Sequence, residues 1–501
     1  VSTITGSGVY NIVGDIRAAD GGILTLDLAE GSRFEGKAVL DSGNDSQSTL
    51  TMAKNSLWTL TGNSQLNSLQ NEQSVIDMTG DNKAFSTLSV ETLTGNGGTI
   101  IMDIDGSQVD ASDKIYVTGD FSGSHTLSLK EINGLDSDPG IGQAAENTVL
   151  ASVNGSGTFT ADDQEGTLYW QRYELGQKDS AASGYTTDWY LKGITNLNLP
   201  TTSVEAIAAS GALAYHTWRD HDQLLQRLGD LRQHGREEEG VWVRVKGGKL
   251  SRSDQFEFEN KYTQYELGYD QKLKSTPAYT RYAGISFSYF DGDSSYSSGS
   301  GENKVKALNI YGTQIGAKGH YLDLVLKYSQ LDNDFKVFDT SGNKITGDYD
   351  QNGLSISAEY GRKNNLKNNW YIEPQAQLTF GRLRGTDYTT SNGIRVDQDG
   401  IDSFVGRIGF NICKDINEKT NIYLKANLMH EFGSGYNASM VDAGGTKARL
   451  DRDFDDTWFE YGLGAAVQTG KNNYFYVDVE RSAGSDYKKD WQWNVGARWS
   501  F

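Results

Sequence analysis

The chain contains 501 residues with a formal net charge of −20, and it combines 58 glycines with 4 prolines and 1 cysteine. Abundant glycine with scarce proline excludes a collagen or a proline-rich linker and is typical of many β-turns. The sequence has no run of about 18 apolar residues, which excludes a helical membrane protein and leaves a membrane β-barrel open. The single Cys413 excludes an intramolecular disulfide, a zinc finger and an iron–sulfur site.

Charge and aromatic content both change near residue 200. Residues 1–200 contain 10 basic and 26 acidic residues, and this acidic balance disfavours nucleic acid as a partner because it repels phosphate groups. By contrast, 28 of the 37 tryptophans and tyrosines follow residue 200. The two shifts indicate two regions of different structure.

Residues 1–200 are predicted to form a right-handed parallel β-helix, called the stem below. Short segments of alternating apolar and polar residues are separated by polar turns that leave no room for helices. These segments are residues 23–28, 48–52, 57–60, 88–90, 99–104 and 126–129. Their recurrence at about 20 residues favours a β-solenoid, and a β-sandwich is the alternative that composition leaves open.

Residues 201–236 are predicted to be a linker that is mostly helix. Thr202 and Glu205 have the spacing of a capping box. Farther along, an apolar stripe at helical spacing consists of Leu224, Leu225, Leu228 and Leu231. A helix from Ser203 to Leu231 would be about 45 Å long, enough to cross a hydrocarbon layer of about 30 Å.

This helix is expected to lie inside a pore, because its charged residues cannot face lipid. The residues expected to act there are Glu205, Tyr215, Arg219, Asp220 and Arg227.

Residues 237–501 are predicted to form a transmembrane antiparallel β-barrel. Alternating segments of about 10 residues begin near Val241, Tyr262, Arg281, Asn303, His320, Tyr349, Trp370, Ile401, Asn421, Thr457, Asn473 and Trp491. Their number, twelve, is even, as bacterial membrane barrels require. In the sixth segment Leu354, Ile356 and Ala358 alternate with polar residues, so one face suits lipid and the other a wet lumen.

The connections between these segments alternate in length. Outer loops are expected at 251–260, 291–302, 331–348, 383–400, 433–455 and 483–490. Inner turns, which are shorter on average, are expected at 273–280, 317–319, 362–369, 414–420 and 470–472. This asymmetry, together with aromatic residues near the segment ends, is typical of outer-membrane barrels.

Several stretches carry a resemblance to a known family. SLWTLTGNS at 56–64, FSTLSV at 85–90, LTGNGGTI at 93–100, SDKIYVTG at 112–119 and GSHTL at 123–127 resemble the coils and stable C-terminal end of a passenger domain. NVGARWSF at 494–501 resembles a barrel ending. In this order they look like the C-terminal portion of a pertactin-type autotransporter, a type V secretion protein of Gram-negative bacteria, over essentially the whole chain.

The resemblance implies a translocator that exports and displays its own passenger. The barrel would insert into the outer membrane with the help of the barrel-assembly machinery, which reads Val495, Ala497, Trp499 and Phe501 in the last strand. The helix would remain in the pore as a plug, and residues 1–200 would be extracellular. Roughly residues 86–190 would act as an autochaperone that templates passenger folding.

The sequence is expected to be a fragment, because Val1 follows no signal peptide. The resemblance implies that the missing passenger carries the distinctive function, which is expected to be that of an adhesin or self-association factor in virulence. The implied partners are outer-membrane lipids and lipopolysaccharide, the barrel-assembly machinery, periplasmic chaperones, and a ligand on a host or neighbouring cell.

No catalytic, cofactor or metal site is predicted. Residues 292–294, Gly-Asp-Ser, resemble the nucleophile motif of an autotransporter esterase family, but they fall in an expected flexible loop. His216 and His221 are five residues apart, off a shared helical face, and are expected to be solvated in the pore. The acidic residues Asp103, Asp105, Asp110 and Asp113 fail the EF-hand spacing, because the twelfth position is Lys114. A solvated turn is expected there.

Three alternatives are weighed against this interpretation. Cleavage of the linker inside the pore would use Asn196 or Asn198 with lumenal acids such as Glu266, Asp323, Glu359 and Glu373, but the predicted helix contains no asparagine. A hydrolase or protease with its site on the outer loops is disfavoured because the six histidines are scattered. A diffusion porin would not explain the stem or the plug.

Overall fold

A computed structural model describes residues 2–4, 9–41, 45–79, 84–106, 108–133, 147–220, 223–225, 239–433, 435–470 and 472–501. The chain divides into two compact units, Val1–Thr201 with Asp442–Thr446 and Thr202–Val441 with Lys447–Phe501. Within the described residues, no helix combines the length and the apolar character needed to span a bilayer.

The first unit is built from short strands. They are β1 (Ser2–Ile4), β2 (Asn11–Val13), β3 (Ile16–Ala18), β4 (Ile23–Leu28), β5 (Arg33–Glu35), β6 (Ala38–Leu40), β7 (Gln47–Met52), β8 (Leu57–Thr59), β9 (Ser64–Asn71), β10 (Val75–Asp77), β11 (Thr87–Thr94), β12 (Asn96–Asp105), β13 (Lys114–Phe121), β14 (Ser124–Asn133), β15 (Val149–Gly155), β16 (Thr158–Ala161), β17 (Gln164–Glu165), β18 (Tyr169–Asp179) and β19 (Thr187–Pro200).

These strands form a parallel β-solenoid of about five turns, which confirms the predicted fold. One sheet runs β1-β4-β7-β9-β11-β13-β15 and a second runs β2-β5-β8-β10-β12-β14-β16. Strands β3 and β6 pair separately. Apolar and polar residues alternate along each strand because every second side chain points into the solenoid.

The core of the solenoid consists of columns of apolar side chains in register. Leu26, Leu50, Leu69, Leu93 and Phe121 are neighbours on successive strands of the first sheet, and none is more than 1% exposed. On the second sheet the corresponding column contains Phe34, Trp58, Ile76, Ile100 and Leu127. Burying each such side chain contributes about 1.5–3 kcal/mol, so each coil is stabilised mainly by the coils on either side of it.

The end of the stem departs from the parallel pattern. Strand β19 pairs antiparallel with β15 and forms an antiparallel hairpin with β18. Trp189 and Leu191 of this hairpin are buried, and the Trp189 ring contacts Phe159 edge to face at 5.5 Å between centroids. The hairpin covers the open edge of β15, which would otherwise expose unpaired backbone groups.

The second unit contains one described helix and the remaining strands. They are α1 (Thr202–Arg219), β20 (Gly240–Arg252), β21 (Phe258–Ser275), β22 (Tyr279–Tyr296), β23 (Gly299–Gly316), β24 (His320–Phe338), β25 (Lys344–Arg362), β26 (Asn364–Asn365), β27 (Trp370–Leu383), β28 (Thr386–Thr389), β29 (Arg395–Gln398), β30 (Ile401–Asn417), β31 (Thr420–Glu431), β32 (Gly435–Val441), β33 (Lys447–Asp453), β34 (Asp456–Gln468), β35 (Asn473–Ala483) and β36 (Tyr487–Ser500).

Twelve of these strands close into an antiparallel barrel, as predicted. Closure occurs where β20 pairs with β36, from Gly240 opposite Ser500 to Arg252 opposite Tyr487. The end of the barrel that carries Gly240 and Ser500 is called the inner end below, and the opposite end the outer end. The short β26 adds one pairing to β27 at the inner end.

The strands are longer than the predicted segments of about 10 residues, because many continue past the outer end of the apolar band. Two expected outer loops are therefore wrong. Residues 291–302 form most of a hairpin whose strands end at Tyr296 and begin again at Gly299, and residues 331–348 are strand except for the turn at 339–343. Residues 383–400 and 433–455 contribute strands to a separate sheet, β28-β29-β32-β33.

The barrel distributes apolar and charged side chains between its exterior and interior in the opposite way to a water-soluble protein. Large apolar side chains point outward and are exposed, among them Leu267, Phe287, Ile310, Leu324, Ile356, Phe380, Ile408, Leu424, Leu463 and Val479. Charged side chains point inward and are buried, among them Glu266, Asp323, Glu359, Arg407, Lys425, Asp478 and Arg498. This arrangement suits a barrel surrounded by hydrocarbon.

Replacing Leu69 by Ala is expected to lower the free energy of unfolding of the stem by about 2–5 kcal/mol, since the change leaves a cavity in a close-packed column. The exposed neighbour Gln70 offers a control, because Gln70→Ala should change it by less than about 0.5 kcal/mol. Denaturant titration of the chain in detergent, followed by proteolysis of the stem, measures both. Equal losses in the two variants would contradict the role of the column.

Candidate functional site

Helix α1 lies inside the barrel. All its residues except Thr202 and Glu205 are buried. Near its start, Asn392 Nδ2 donates to Ser203 Oγ at 3.0 Å, and the hydroxyls of Ser210 and Tyr349 lie 2.8 Å apart. These contacts lie at the outer end of the barrel, so the helix runs from the outer end inward. The predicted pore helix is confirmed by this position.

The alanine-rich first half of α1 makes room for aromatic side chains of the outer connections. At Gly211 a Cβ atom would lie 2.5 Å from the Tyr436 hydroxyl, so no larger residue fits there without a shift. Phe454 contacts both Tyr436 and Phe256, with centroids 5.5 and 5.7 Å away. Small residues on the helix and large rings from the outer connections together fill the outer part of the lumen.

The last turn of α1 is attached to the wall through Glu431. Tyr215 Oη donates to Glu431 Oε2 at 2.6 Å, and Arg219 Nη1 lies 3.6 Å from the same oxygen. The guanidinium of Arg219 also lies 4.5 Å from the centroid of the Trp458 ring. The ion pair is almost fully buried, with 5% of the Arg219 side chain and none of the Glu431 side chain exposed. A buried pair of this kind is costly to break from one side.

His216 is not solvated, which corrects the expectation for this residue. Its ring is 2% exposed and stacks on Tyr487 with centroids 4.1 Å apart and planes 8° apart. Arg252 Nη1 donates to His216 Nε2 at 2.8 Å, so this nitrogen carries no proton and the ring is neutral. His216 serves to pack the helix against β20 and β36, because the helix fills the lumen where water was expected. His221 lies outside the described residues.

Asp220 directly follows α1 and contacts lysines from three strands of the wall. Its carboxylate lies 2.8 Å from Lys246 Nζ and 3.2 Å from Lys489 Nζ. Lys327 Nζ donates to the main-chain oxygen of Asp220 at 3.0 Å. The negative end of the helix dipole also stabilises cations at this place. The helix end is thereby held by charges on β20, β24 and β36.

The chain beyond Asp220 is described at residues 223–225. The main-chain nitrogen of Leu224 donates to Glu359 Oε2 at 3.0 Å, and Arg407 Nη2 lies 3.4 Å from the same carboxylate. Helix α1 ends at Arg219, and Leu224 and Leu225 are again helical. Arg227, Leu228 and Leu231 lie outside the described residues.

The lumenal acids considered for self-cleavage all point inward and are engaged with wall residues. Glu266 pairs with Arg244 and accepts a hydrogen bond from Ser286, and Asp323 accepts one from Thr313. Gln375 donates to Glu373 at 2.8 Å. Asn196 and Asn198 belong to β19 in the first unit.

The hydrolase-like motif is part of the barrel wall. Residues 292–294 lie in β22, where Ser294 is 3% exposed and donates to the Tyr296 hydroxyl. A flexible loop was expected, and the expectation is wrong because the β22–β23 ladder satisfies the backbone through this stretch. Across the described ranges, no group of three or more histidine, cysteine or acidic residues has the arrangement of a metal site.

Among the acidic residues near 103–113, Asp113 caps main-chain groups within the stem. Asp113 accepts hydrogen bonds from the main-chain nitrogens of Ser86 at 2.6 Å and Asp103 at 2.7 Å, and it is fully buried. Burial raises the pKa of the Asp113 carboxyl from 3.8 to about 7, although the two hydrogen bonds act in the opposite direction. The expectation of a solvated turn is therefore wrong for Asp113.

The last strand presents the predicted assembly residues on its outward side. Val495, Trp499 and Phe501 are exposed, whereas Ala497 is 7% exposed. Ala497 is opposite Val243 on one neighbouring strand and Phe475 on the other. Their role in assembly stays a prediction.

Sequence reasoning missed several residues that hold the helix. Glu431, Arg252, Trp458, Tyr487 and Lys489 line the wall around its last turn. The available signal was the charged or aromatic residue at an inward position of an otherwise alternating strand.

A closed barrel with an apolar exterior, a charged interior and a helix in its lumen defines an outer-membrane translocator. Comparison with known families supports this class. Residues 241–480 match the family model described as Autotransporter beta-domain, and residues 66–193 match the one described as Pertactin. Both regions of the chain are thus similar to pertactin-type autotransporters. Its barrel lies in the outer membrane, and its stem is extracellular.

Relatives match along nearly the whole chain. A probable autotransporter, YcgV, of Escherichia coli K12 is 28% identical over 100% of this chain and 55% of its own length. The pertactin autotransporter of Bordetella bronchiseptica is 28% identical over 97% of this chain and 56% of its own. The BrkA autotransporter of Bordetella pertussis is 27% identical over 96% of this chain and 46% of its own length. The chain thus spans about half the length of these relatives.

Relatives named as serine protease autotransporters also match, including Pet of Escherichia coli at 26% identity over 91% of this chain and 34% of its own length. Among solved structures, the β domain of the Bordetella autotransporter BrkA aligns with 53% of this chain and 100% of its own at 26% identity, with a TM-score of 0.43.

The raised pKa of Asp113 predicts a pH dependence of stem stability. Because the folded stem holds the proton more tightly than the unfolded chain, the stabilisation from Asp113 is complete below about pH 4 and is lost as the pH rises through about 7. The free energy of unfolding should therefore fall between pH 5 and pH 8. Asp113→Asn, which cannot ionise, should lack this decrease. An identical decrease in both proteins would show that Asp113 does not cause it.

Glu431→Gln is expected to loosen the plug, since it leaves the Arg219 guanidinium buried without its countercharge. Losing one partner of a buried pair costs about 3–5 kcal/mol, so the fraction of time spent in an open, conducting state should rise at least about tenfold. Conductance of the purified protein in planar bilayers measures this. Asp402→Asn, at an exposed ion pair on the outer surface, should leave conductance unchanged. Closed channels in both variants would mean that Glu431 does not retain the helix.

Proposed function

We propose that this chain is the translocator and C-terminal passenger stem of a longer autotransporter that displays an adhesin or self-association factor on the cell surface. The observation that carries the proposal is the helix α1 in the lumen, directly continuous with the last strand of the stem, β19. A chain that enters the barrel in this way has its stem tethered to the membrane through the pore. Pertactin and BrkA among the relatives support the same assignment.

In this proposal three segments have separate roles. Residues 1–200 form the stem, with residues 86–190 as the autochaperone. Residues 201–236 form the linker and plug, in which Glu205, Tyr215, Arg219, Asp220 and Arg227 act. Residues 237–501 form the translocator, and the outward side chains of Val495, Ala497, Trp499 and Phe501 present the assembly signal. The register columns of the stem support stepwise folding, because each coil can pack as soon as the preceding coil is complete.

The linker is proposed to stay uncut, so that stem and barrel remain one chain. The buried acids that would activate a nucleophile are instead paired or hydrogen-bonded, as Glu266 is with Arg244. The displayed protein is proposed to act by binding rather than by catalysis. Two of the described histidines serve in packing, since His125 is buried beside Phe121 in the stem and His430 contacts Phe432 on the barrel exterior.

Assembly is proposed to require the barrel-assembly machinery and periplasmic chaperones, with lipopolysaccharide around the finished barrel and a cell-surface ligand for the passenger. The exposed apolar band supports this requirement. A strand with an apolar outer face and a polar inner face is soluble in neither water nor hydrocarbon until the barrel closes.

Protease shaving of intact cells tests the proposal. The segment is expressed behind a signal peptide, with one epitope tag near residue 2 and another within 439–446. Both tags are expected to be cut from outside, while a heat-modifiable fragment of about the last 300 residues stays in the membrane, as closed barrels of this kind do. A shorter chain that begins at residue 237 controls for leakage. Protection of the first tag until the outer membrane is lysed would overturn the topology and the secretion function.

A further inference from the structure

The inner rim of the barrel has a charge opposite to that of the outer end. Four inner connections, residues 276–278, 317–319, 363–369 and 418–419, hold four basic residues and one acidic residue, and the strand ends beside them, within 271–281, 316–320, 361–370 and 413–420, add five basic residues and one acidic residue. The outer connections, residues 253–257, 297–298, 339–343, 384–400, 432–455 and 484–486, hold eleven acidic and five basic residues. The chain as a whole is acidic, with a net charge of −20, so this basic rim is not a reflection of overall composition.

The basic side chains of the rim are directed to the surface rather than used within the protein. Lys274, Lys318, Lys367 and Lys419 are exposed. None of these four forms an ion pair with another described residue, whereas lysines of the outer end such as Lys304 and Lys306 have acidic partners. The rim is therefore a surface with uncompensated positive charge.

Apolar side chains stand among these lysines. Leu273 is 61% exposed beside Lys274, Leu366 is 56% exposed beside Lys367, and Ile416 is 51% exposed within the turn that contains Lys419. Two aromatic rings at the rim each make a cation–π contact. Arg281 lies 4.7 Å from the centroid of the Tyr279 ring, and Lys414 lies 5.0 Å from that of the Trp370 ring. Apolar and aromatic groups beside lysines are typical of side chains that sit at the boundary between acyl chains and lipid headgroups.

We propose that the inner rim binds anionic phospholipids, with the phosphate headgroups held by the basic side chains and the exposed apolar residues inserted at the headgroup boundary. The location fits this partner, because the inner end of an outer-membrane barrel meets the leaflet made of phospholipid. Charge complementarity favours an anionic headgroup such as that of phosphatidylglycerol over a zwitterionic one. The exposed leucines and isoleucine favour a lipid over an acidic protein, because they continue the apolar band of the barrel.

The inference depends on the orientation of the barrel and not on secretion of the passenger. A purified protein therefore tests it without any export step, and a failure of the secretion test leaves it standing.

The test compares two variants of the whole chain. The inner-rim variant carries Lys274→Gln, Lys318→Gln, Lys367→Gln and Lys419→Gln. The matched outer variant carries Lys261→Gln, Lys336→Gln, Lys344→Gln and Arg395→Gln, which removes the same charge from exposed positions of the outer end. Heat modifiability on denaturing gels checks that each variant is folded, and none of the eight positions is buried.

Native mass spectrometry measures the ratio of phosphatidylglycerol to phosphatidylcholine retained from mixed micelles. The wild type is expected to retain more phosphatidylglycerol than phosphatidylcholine. The ratio of the two lipids should fall at least fivefold in the inner-rim variant and stay unchanged in the outer variant. Inorganic phosphate, added at matched ionic strength, should not displace the lipid. The proposal is overturned if the inner-rim variant behaves as the wild type, if the outer variant loses as much, or if free phosphate displaces the lipid as a competing anion.

Discussion

Hydrocarbon offers no hydrogen-bond partner to a peptide group, and the whole second unit follows from that constraint. Each barrel strand pairs on both sides, and the ladder closes where β20 meets β36. Once closed, the barrel presents apolar side chains to lipid and must keep its charges inside. The inward charges then need partners, which the wall supplies to itself in pairs such as Arg244 with Glu266. The same need binds the helix, because Arg219 and Asp220 find their countercharges on the wall.

The stem solves the opposite problem with the same kind of ladder. Water surrounds it, so the columns from Leu26 to Phe121 and from Phe34 to Leu127 place apolar groups inside. A solenoid has open edges at its ends, and the β18–β19 hairpin covers one of them. The transition from parallel to antiparallel pairing thus occurs where the coils of the solenoid end and the chain continues toward α1.

Local periodicity allowed much of this fold to be predicted, since a two-residue repeat needs no knowledge of distant contacts. The predicted starts at His320, Trp370, Ile401 and Asn473 coincide with the first residues of β24, β27, β30 and β35. The ends of strands were harder, because residues 291–302 and 331–348 are polar on their outer faces and look like loops. Their pairing comes from the neighbouring strand and not from their own composition.

The candidate site was predictable in its helix and not in its partners. Arg219 and Asp220 are recognisable because charged residues of a helix long enough to cross the membrane cannot face lipid. Glu431 is not, since its contact with Arg219 depends on barrel register and on how far the helix enters. Likewise, His216 was expected in water because sequence gives no measure of how completely the Tyr487 and Phe454 rings enclose it.

The position of the charged contacts along α1 has a mechanical consequence. The outer half of the helix is held by small residues against rings, whereas the ionic contacts of Arg219 and Asp220 lie at its inner end. Tension applied to the stem is transmitted along the backbone of α1 to these deepest contacts. To yield, the helix would have to drag a guanidinium and a carboxylate past the aromatic constriction around Gly211. The plug is thereby built as an anchor whose resistance to extraction is greatest at the end farthest from the applied force.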